Sequence, residues 1–129
     1  MVAKVNMEEI KRKIASGELP LVILEQKQNQ HIFGTEQFEQ RRVQELEKGY
    51  GQSPSYLIVD AKSVVDKYAG TGEISFRANE KYPREEIVLP EVAGYYWGRK
   101  EQKYFPTNKV KLVYSQKGVH VYPIFPGGD

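Results

Sequence analysis

"KVKLVYSQKGVHVYPIF", Lys109 to Phe125, alternates apolar and polar side chains on either side of the polar segment "SQKG". A period of two is the pattern of a half-buried strand, and a short polar segment with glycine between two such runs reads as a hairpin turn. The stretch therefore predicts two antiparallel strands. In the second, Val119 and Val121 share one side and His120 and Tyr122 the other. The hairpin is expected to bring Tyr114 and His120 close together on adjacent strands.

Back to Gly72 the texture is the same. "EISFRA", "EEIVLP" and "AGYYWGR" are short runs rich in Ile, Val, Tyr and Phe, separated by Pro, Gly or polar turns. Before Gly72 the chain reads mostly as helix. Asn6 can cap a first helix with Glu9 completing a capping box, Met7, Ile10 and Ile14 on one face and Gly17 as the stop. "LPLVILE", Leu19 to Glu25, follows as a buried strand with Pro20 at its start or edge. From Thr35 to Lys48, Phe38, Val43 and Leu46 mark the inner face of a second, surface helix. "GYGQSPS" is a loop, "YLIV" a short strand, and "DAKSVVDKYAG" a helix capped by Asp60, with Val64, Val65 and Tyr68 inward and Gly70 as the stop. Helices first and antiparallel strands later predict an α+β fold.

A chain of 129 residues with 40% apolar and 28% charged side chains suits one soluble domain, 1–129, with an N-terminal helix over 1–17 and a core over about 19–126. No apolar run approaches the ~18 residues that span a bilayer, and Met1 to Lys13 carries charges where a signal peptide needs an apolar segment. No membrane partner is expected, and the cytoplasm is the expected compartment. With no cysteine and only two histidines, thiolate chemistry and a three-histidine metal site are excluded. No HExxH or EF-hand pattern occurs, so neither a metal nor any other cofactor is expected. The glycines of "YAGTGE" form no phosphate-loop pattern, and Gly70 is already accounted for as a helix stop.

Net charge is +2, unevenly spread. Between Arg99 and Lys117 stand Arg99, Lys100, Lys103, Lys109, Lys111 and Lys117 against the single acid Glu101, with Trp97, Tyr104, Phe105 and Tyr114 within or beside them. Cations for phosphates alternate with flat rings that can stack on bases, which is the composition of a nucleic-acid surface. A solvated ribbon whose aromatics face the core fits the same pattern.

Cleaving RNA at a 2′-hydroxyl needs a base for that proton, an acid for the leaving 5′-oxygen, and donors for the charge on phosphorus. Histidine suits both proton transfers, and His31 and His120 are the one pair available. Each also has a plain structural reading. His31 beside a loop can simply bond to backbone, and His120 can be an exposed strand residue. Thr35 can be the cap of the helix that follows it, and Ser115 a turn residue.

The set "KQNQHIFGT", "DAKSVVDKYAGTG", "EEIV" and "KVKLVYSQKGVHVYPIFP" resembles the polymorphic toxin type 50 domain, a predicted ribonuclease module of bacterial toxin systems also found at the C-terminus of phage head-morphogenesis proteins. The resemblance implies N-terminal helices packed on a curved antiparallel sheet, as in the group of barnase, EndoU, colicin-type tRNA nucleases and RelE. Its motifs fall on Lys27, Gln28, His31, Gly34 and Thr35, and again on Tyr114, Ser115, Gly118, His120, Pro123 and Pro126. It implies a metal-independent endoribonuclease with His31, His120, Lys27, Ser115 and Thr35 in catalysis and Tyr114, Lys109, Lys111, Gln28 and Lys117 on the substrate. It also implies RNA as substrate, an immunity protein as partner, and a larger toxin or virion-associated phage polypeptide as carrier. Two positions depart from the pattern: Phe33 stands where relatives have Pro, and Lys109 where an Arg is expected, which keeps the charge but loses the bidentate fork. The alternative is a phage-associated module that binds nucleic acid or protein without cutting.

Overall fold

A computed structural model describes residues 7–49 and 54–126. The chain is α+β: helices α1 (Met7–Ser16), α2 (Glu25–Asn29), α3 (Glu36–Glu47) and α4 (Ala61–Tyr68), and strands β1 (Tyr56–Leu57), β2 (Glu73–Ser75), β3 (Arg84–Val88), β4 (Gly94–Gly98), β5 (Lys103–Thr107), β6 (Lys109–Tyr114) and β7 (Val119–Pro123). The strands divide into two antiparallel sheets, ordered β1-β4-β5 and β2-β3-β6-β7. The sequence does not mark β5, because Pro106 interrupts it. At the edge of its sheet a proline removes no ladder bond that the sheet needs.

The four-stranded sheet has one apolar face and one polar face. Ile87, Val110, Leu112, Tyr114, Val119 and Val121 point inward and are nearly or fully buried with Ile10 of α1 and Val64 and Val65 of α4. The alternate positions Arg84, Lys111, Val113, His120 and Tyr122 form the other face. The α4 reading is as observed: Asp60 Oδ2 accepts from Ser63 N at 3.0 Å, and Gly70 ends the helix at φ +87°. α1 also stops at Gly17 as read, while its Asn6 cap and the middle of "GYGQSPS" lie outside the described residues.

Three local readings change. The stretch 19–25 forms no strand: it makes only a single parallel bridge, Ile23 to Val119, with Val119 N donating to Val22 O (2.8 Å) and Leu24 N to Val119 O (3.0 Å). Pairing stops there because the chain turns into α2, and the Gln28 side chain takes over the edge of β7. Its Nε2 donates to Val121 O at 2.8 Å and its Oε1 accepts from Val121 N at 2.7 Å, so one primary amide stands in for the next strand residue. The strand approaches this closely because position 118 is glycine, where a Cβ would collide with the Val22 carbonyl. In α3, Val43 and Leu46 are exposed, and the buried positions are Phe38 and Glu45. Finally, Ser115 to Gly118 closes the hairpin so that Tyr114 pairs with Val119 and His120 with Val113. Being one position out of register puts Tyr114 and His120 on adjacent strands but on opposite faces of the sheet.

Candidate active site

The polar face of β7 ends against the loop that follows α2, and there the two histidines meet. Their rings are parallel to within 2°, with centroids 6.0 Å apart, and Tyr122 packs on both at 5.4 Å from His31 and 6.3 Å from His120. Local structure fixes each side chain. His120 is held by the β6–β7 register. The His31 backbone is gripped on both sides, its N–H donating to Gln28 O at 2.9 Å and its carbonyl accepting from Leu57 N at 2.7 Å.

Thr35 locks the same loop. Its hydroxyl donates to Asn29 O and Ile32 O and accepts from Phe38 N, capping α3. The helix it starts then carries Phe38, Arg41 and Glu45 on one face, at the i, i+3, i+7 spacing of adjacent turns. Arg41 reaches His31, its Nη1 lying 3.4 Å from Nε2, while Glu45 accepts from Arg41 Nε at 3.4 Å. From β3, Arg84 donates to the Tyr122 hydroxyl at 3.1 Å and pairs with Glu80 at 3.0 Å.

The electrostatics are those of two neutral imidazoles among cations. Burial first, then the charges of Arg41 and His120, lower His31 to about 3; the Ser55 backbone opposes the shift without reaching hydrogen-bond geometry. Burial, then Lys27, Arg84 and Arg41, lower His120 to about 4. Arginine only donates, so a guanidinium aimed at His31 Nε2 favours the tautomer with its proton on Nδ1. The Nδ1 atoms of both rings are buried and hydrogen-bond to nothing among the described residues.

The residues named from the sequence divide into two groups. His31, His120 and Lys27 come together, and Lys111 stands opposite Tyr122 on the same face. Lys109 lies further along β6, opposite Val88, and Lys117 is exposed in the turn. Gln28 and Thr35 are engaged as described, and Ser115 Oγ donates to Gly118 O at 2.7 Å within the hairpin turn. Tyr114 is on the core side, its hydroxyl donating to Glu85 at 2.6 Å, and burial and that bond raise its pKa well above the usual tyrosine value. Glu85 also accepts from Gly70 N (2.9 Å) and Gly72 N (2.7 Å), so the "YAGTGE" N–H groups hold an internal carboxylate rather than a phosphate.

Arg41, Arg84 and Tyr122 are the site residues that sequence reasoning missed. The alternation of "VHVYP" carried a signal for Tyr122, since it shares a strand face with His120. Nothing local marked the two arginines.

Among the described residues no three His, Asp or Glu side chains are grouped to hold a metal ion, and no helix is long and apolar enough to cross a membrane. No curated protein and no solved structure matches the chain. Residues 23–123 match the family described as Bacterial toxin 50, a span that begins just before α2 and contains every side chain of the histidine cluster. With that match over most of its length, the chain belongs to the bacterial toxin 50 family.

Proposed function

We propose that this toxin domain is a metal-independent endoribonuclease working through His31 and His120. The observation that carries the reading is the pair of parallel, neutral, unsatisfied imidazoles 6.0 Å apart, bordered by Lys27, Arg41 and Arg84. The rings are close enough together to serve the two ends of one phosphodiester laid along their edges, each through a hydrogen bond of about 2.6–3.2 Å. One imidazole takes the proton of the ribose 2′-hydroxyl, whose oxygen attacks phosphorus. The P–O5′ bond breaks, and the other histidine, as imidazolium, protonates the leaving 5′-oxygen. The products are a 2′,3′-cyclic phosphate and a 5′-hydroxyl, with one proton passed from substrate to protein and one returned.

The cations have two roles in this scheme. They hold the phosphate and stabilise the charge of the phosphorane. In the free protein their repulsion also helps keep both histidines uncharged; an incoming phosphodiester offsets it and lets one ring take up the proton the acid needs. The guanidinium missing at Lys109 has substitutes in Arg41 and Arg84, which weakens the case for a non-cutting module. The order of helices before strands supports grouping the fold with the barnase-, EndoU- and RelE-like nucleases. A cognate immunity protein would cover the histidine cluster, and a larger toxin or phage polypeptide would carry the domain.

The test is cleavage of total bacterial RNA in EDTA by wild type and His120→Ala. Cutting with cyclic-phosphate ends that is lost in the variant is the expected result. Intact RNA with wild type, or equal cutting by both proteins, overturns the reading.

A further inference from the structure

Beside the histidines lies an aromatic surface that the proton-transfer scheme does not use. The register of β4 and β5 pairs Tyr96 with Phe105, and both rings are half-buried. Phe125, just past β7, meets them edge-on at 5.5 Å and 6.3 Å. Its side chain is nonetheless 51% exposed. Tyr96 and Phe125 line one open cleft of about 510 Å³ together with His31, Arg41 and Tyr122. The turn after β4 adds Arg99 and Lys100 to the same cleft, and Lys103 Nζ sits 5.0 Å over the Phe105 ring. Glu101 is the one acid of that turn, folded over Gly98, where a Cβ would come within 2.5 Å of its Oε1.

Phe125 leaves half its surface open in a cleft that His31 also lines, with Arg99 and Lys100 along the adjoining turn. Flat apolar faces beside a row of cations bind unpaired bases, because stacking tolerates any base while the cations follow the backbone. A base held in a duplex is already stacked on both faces. His31, only 5% exposed, is also too deep for a ribose locked in a helix to reach.

We propose that Tyr96, Phe105 and Phe125 form a stacking subsite for an unpaired nucleobase next to the scissile phosphate, with Arg99, Lys100 and Lys103 tracking the flanking phosphates, so that the substrate is single-stranded RNA. The assignment rests on the endoribonuclease reading. It is tested by binding of a fluorescent 2′-O-methyl oligonucleotide, which cannot be cleaved, as a single strand and as a duplex, alongside cleavage of the unmodified strand. Wild type is expected to prefer the single strand. Phe125→Ala should weaken that binding about 10-fold and raise KM while leaving kcat nearly unchanged. Lys100→Ala, a surface change that keeps the fold, should reduce the slope of log K against log salt by about 0.7. If wild type cuts RNA but binds duplex equally well, or if both variants bind as wild type does, the subsite is overturned and the nuclease reading stands. If wild type neither binds nor cuts RNA, the nuclease reading fails and the subsite with it.

Discussion

Two buried polar clusters lie on opposite faces of the same sheet, one residue apart in register. On the core face, Glu85 accepts from the Tyr114 hydroxyl and from Gly70 and Gly72 N–H, so each of its oxygens is hydrogen-bonded. On the other face, beside Arg84 and Val113, His31 and His120 bury Nδ1 atoms that meet no partner among the described residues. Burying a polar group without a partner costs about 1–3 kcal/mol, so folding alone does not favour the second arrangement. The first cluster does structural work: it ties the "YAGTGE" turn to β3 and β6. The second leaves hydrogen-bonding capacity unused, an asymmetry that substitutions in the two clusters probe.

Exchanging the roles of the two clusters is the strongest way to break this comparison. His120→Ala is expected to lower RNA cleavage by about 10²–10⁴-fold, the range for losing a general acid or base, while the thermal midpoint stays within a few degrees of wild type. Glu85→Ala should do the opposite. It strands two N–H groups and a hydroxyl in the core and should lower stability by about 3 kcal/mol or more, read as a shifted urea midpoint at constant slope, with activity per folded molecule unchanged. A large activity loss in folded Glu85→Ala would mean that the core cluster also serves the chemistry.

Acid sharpens the same contrast. Both histidines titrate lower in the folded protein than the ordinary 6.5, His31 at about 3 and His120 at about 4. Between roughly pH 4 and 6.5 the unfolded chain therefore binds more protons than the folded one. Stability then rises with pH through that window and is lost as pH falls through it. From pH 6.5 to 5 the loss due to the pair should be on the order of 3 kcal/mol, measured by urea unfolding, and the His31→Asn, His120→Asn double variant should lack it. An unchanged pH dependence in the double variant would show that the rings are not buried as neutral groups.

The contrast was only half legible in the sequence. The β6–β7 hairpin, the α4 helix and the α+β order follow from periods and caps that act locally, and the structure has them. Tyr114 was expected beside His120 because both flank the turn, but which face each occupies depends on how many residues the turn takes up, and a shift of one reverses it. Arg41 could not be found locally either. The α3 pattern pointed to Val43 and Leu46, yet tertiary packing of Phe38 rotates the helix so that Arg41 and Glu45 face inward. Arg84 reaches Tyr122 across two strand pairings, and no spacing within "YPREEIV" encodes that.

The smallest expected effect concerns Thr35, whose motif position suggests catalysis and whose contacts suggest a clamp. Its hydroxyl hydrogen is directed to Asn29 O and Ile32 O, and its oxygen accepts from Phe38 N, so little is left for a phosphate. Thr35→Ala should cost about 1 kcal/mol, the usual loss of a helix cap, and Thr35→Ser should restore it. Because the same bonds hold the His31 loop, some loss of cleavage should accompany Thr35→Ala, but it should follow stability, shrinking at lower temperature and disappearing in Thr35→Ser. A catalytic hydroxyl behaves differently: its removal lowers kcat by a factor that stays when the fold is fully stable. Cleavage by Thr35→Ala at several temperatures, set against its unfolding curve, separates the two, and a fixed loss at full stability would move Thr35 from the clamp to the chemistry.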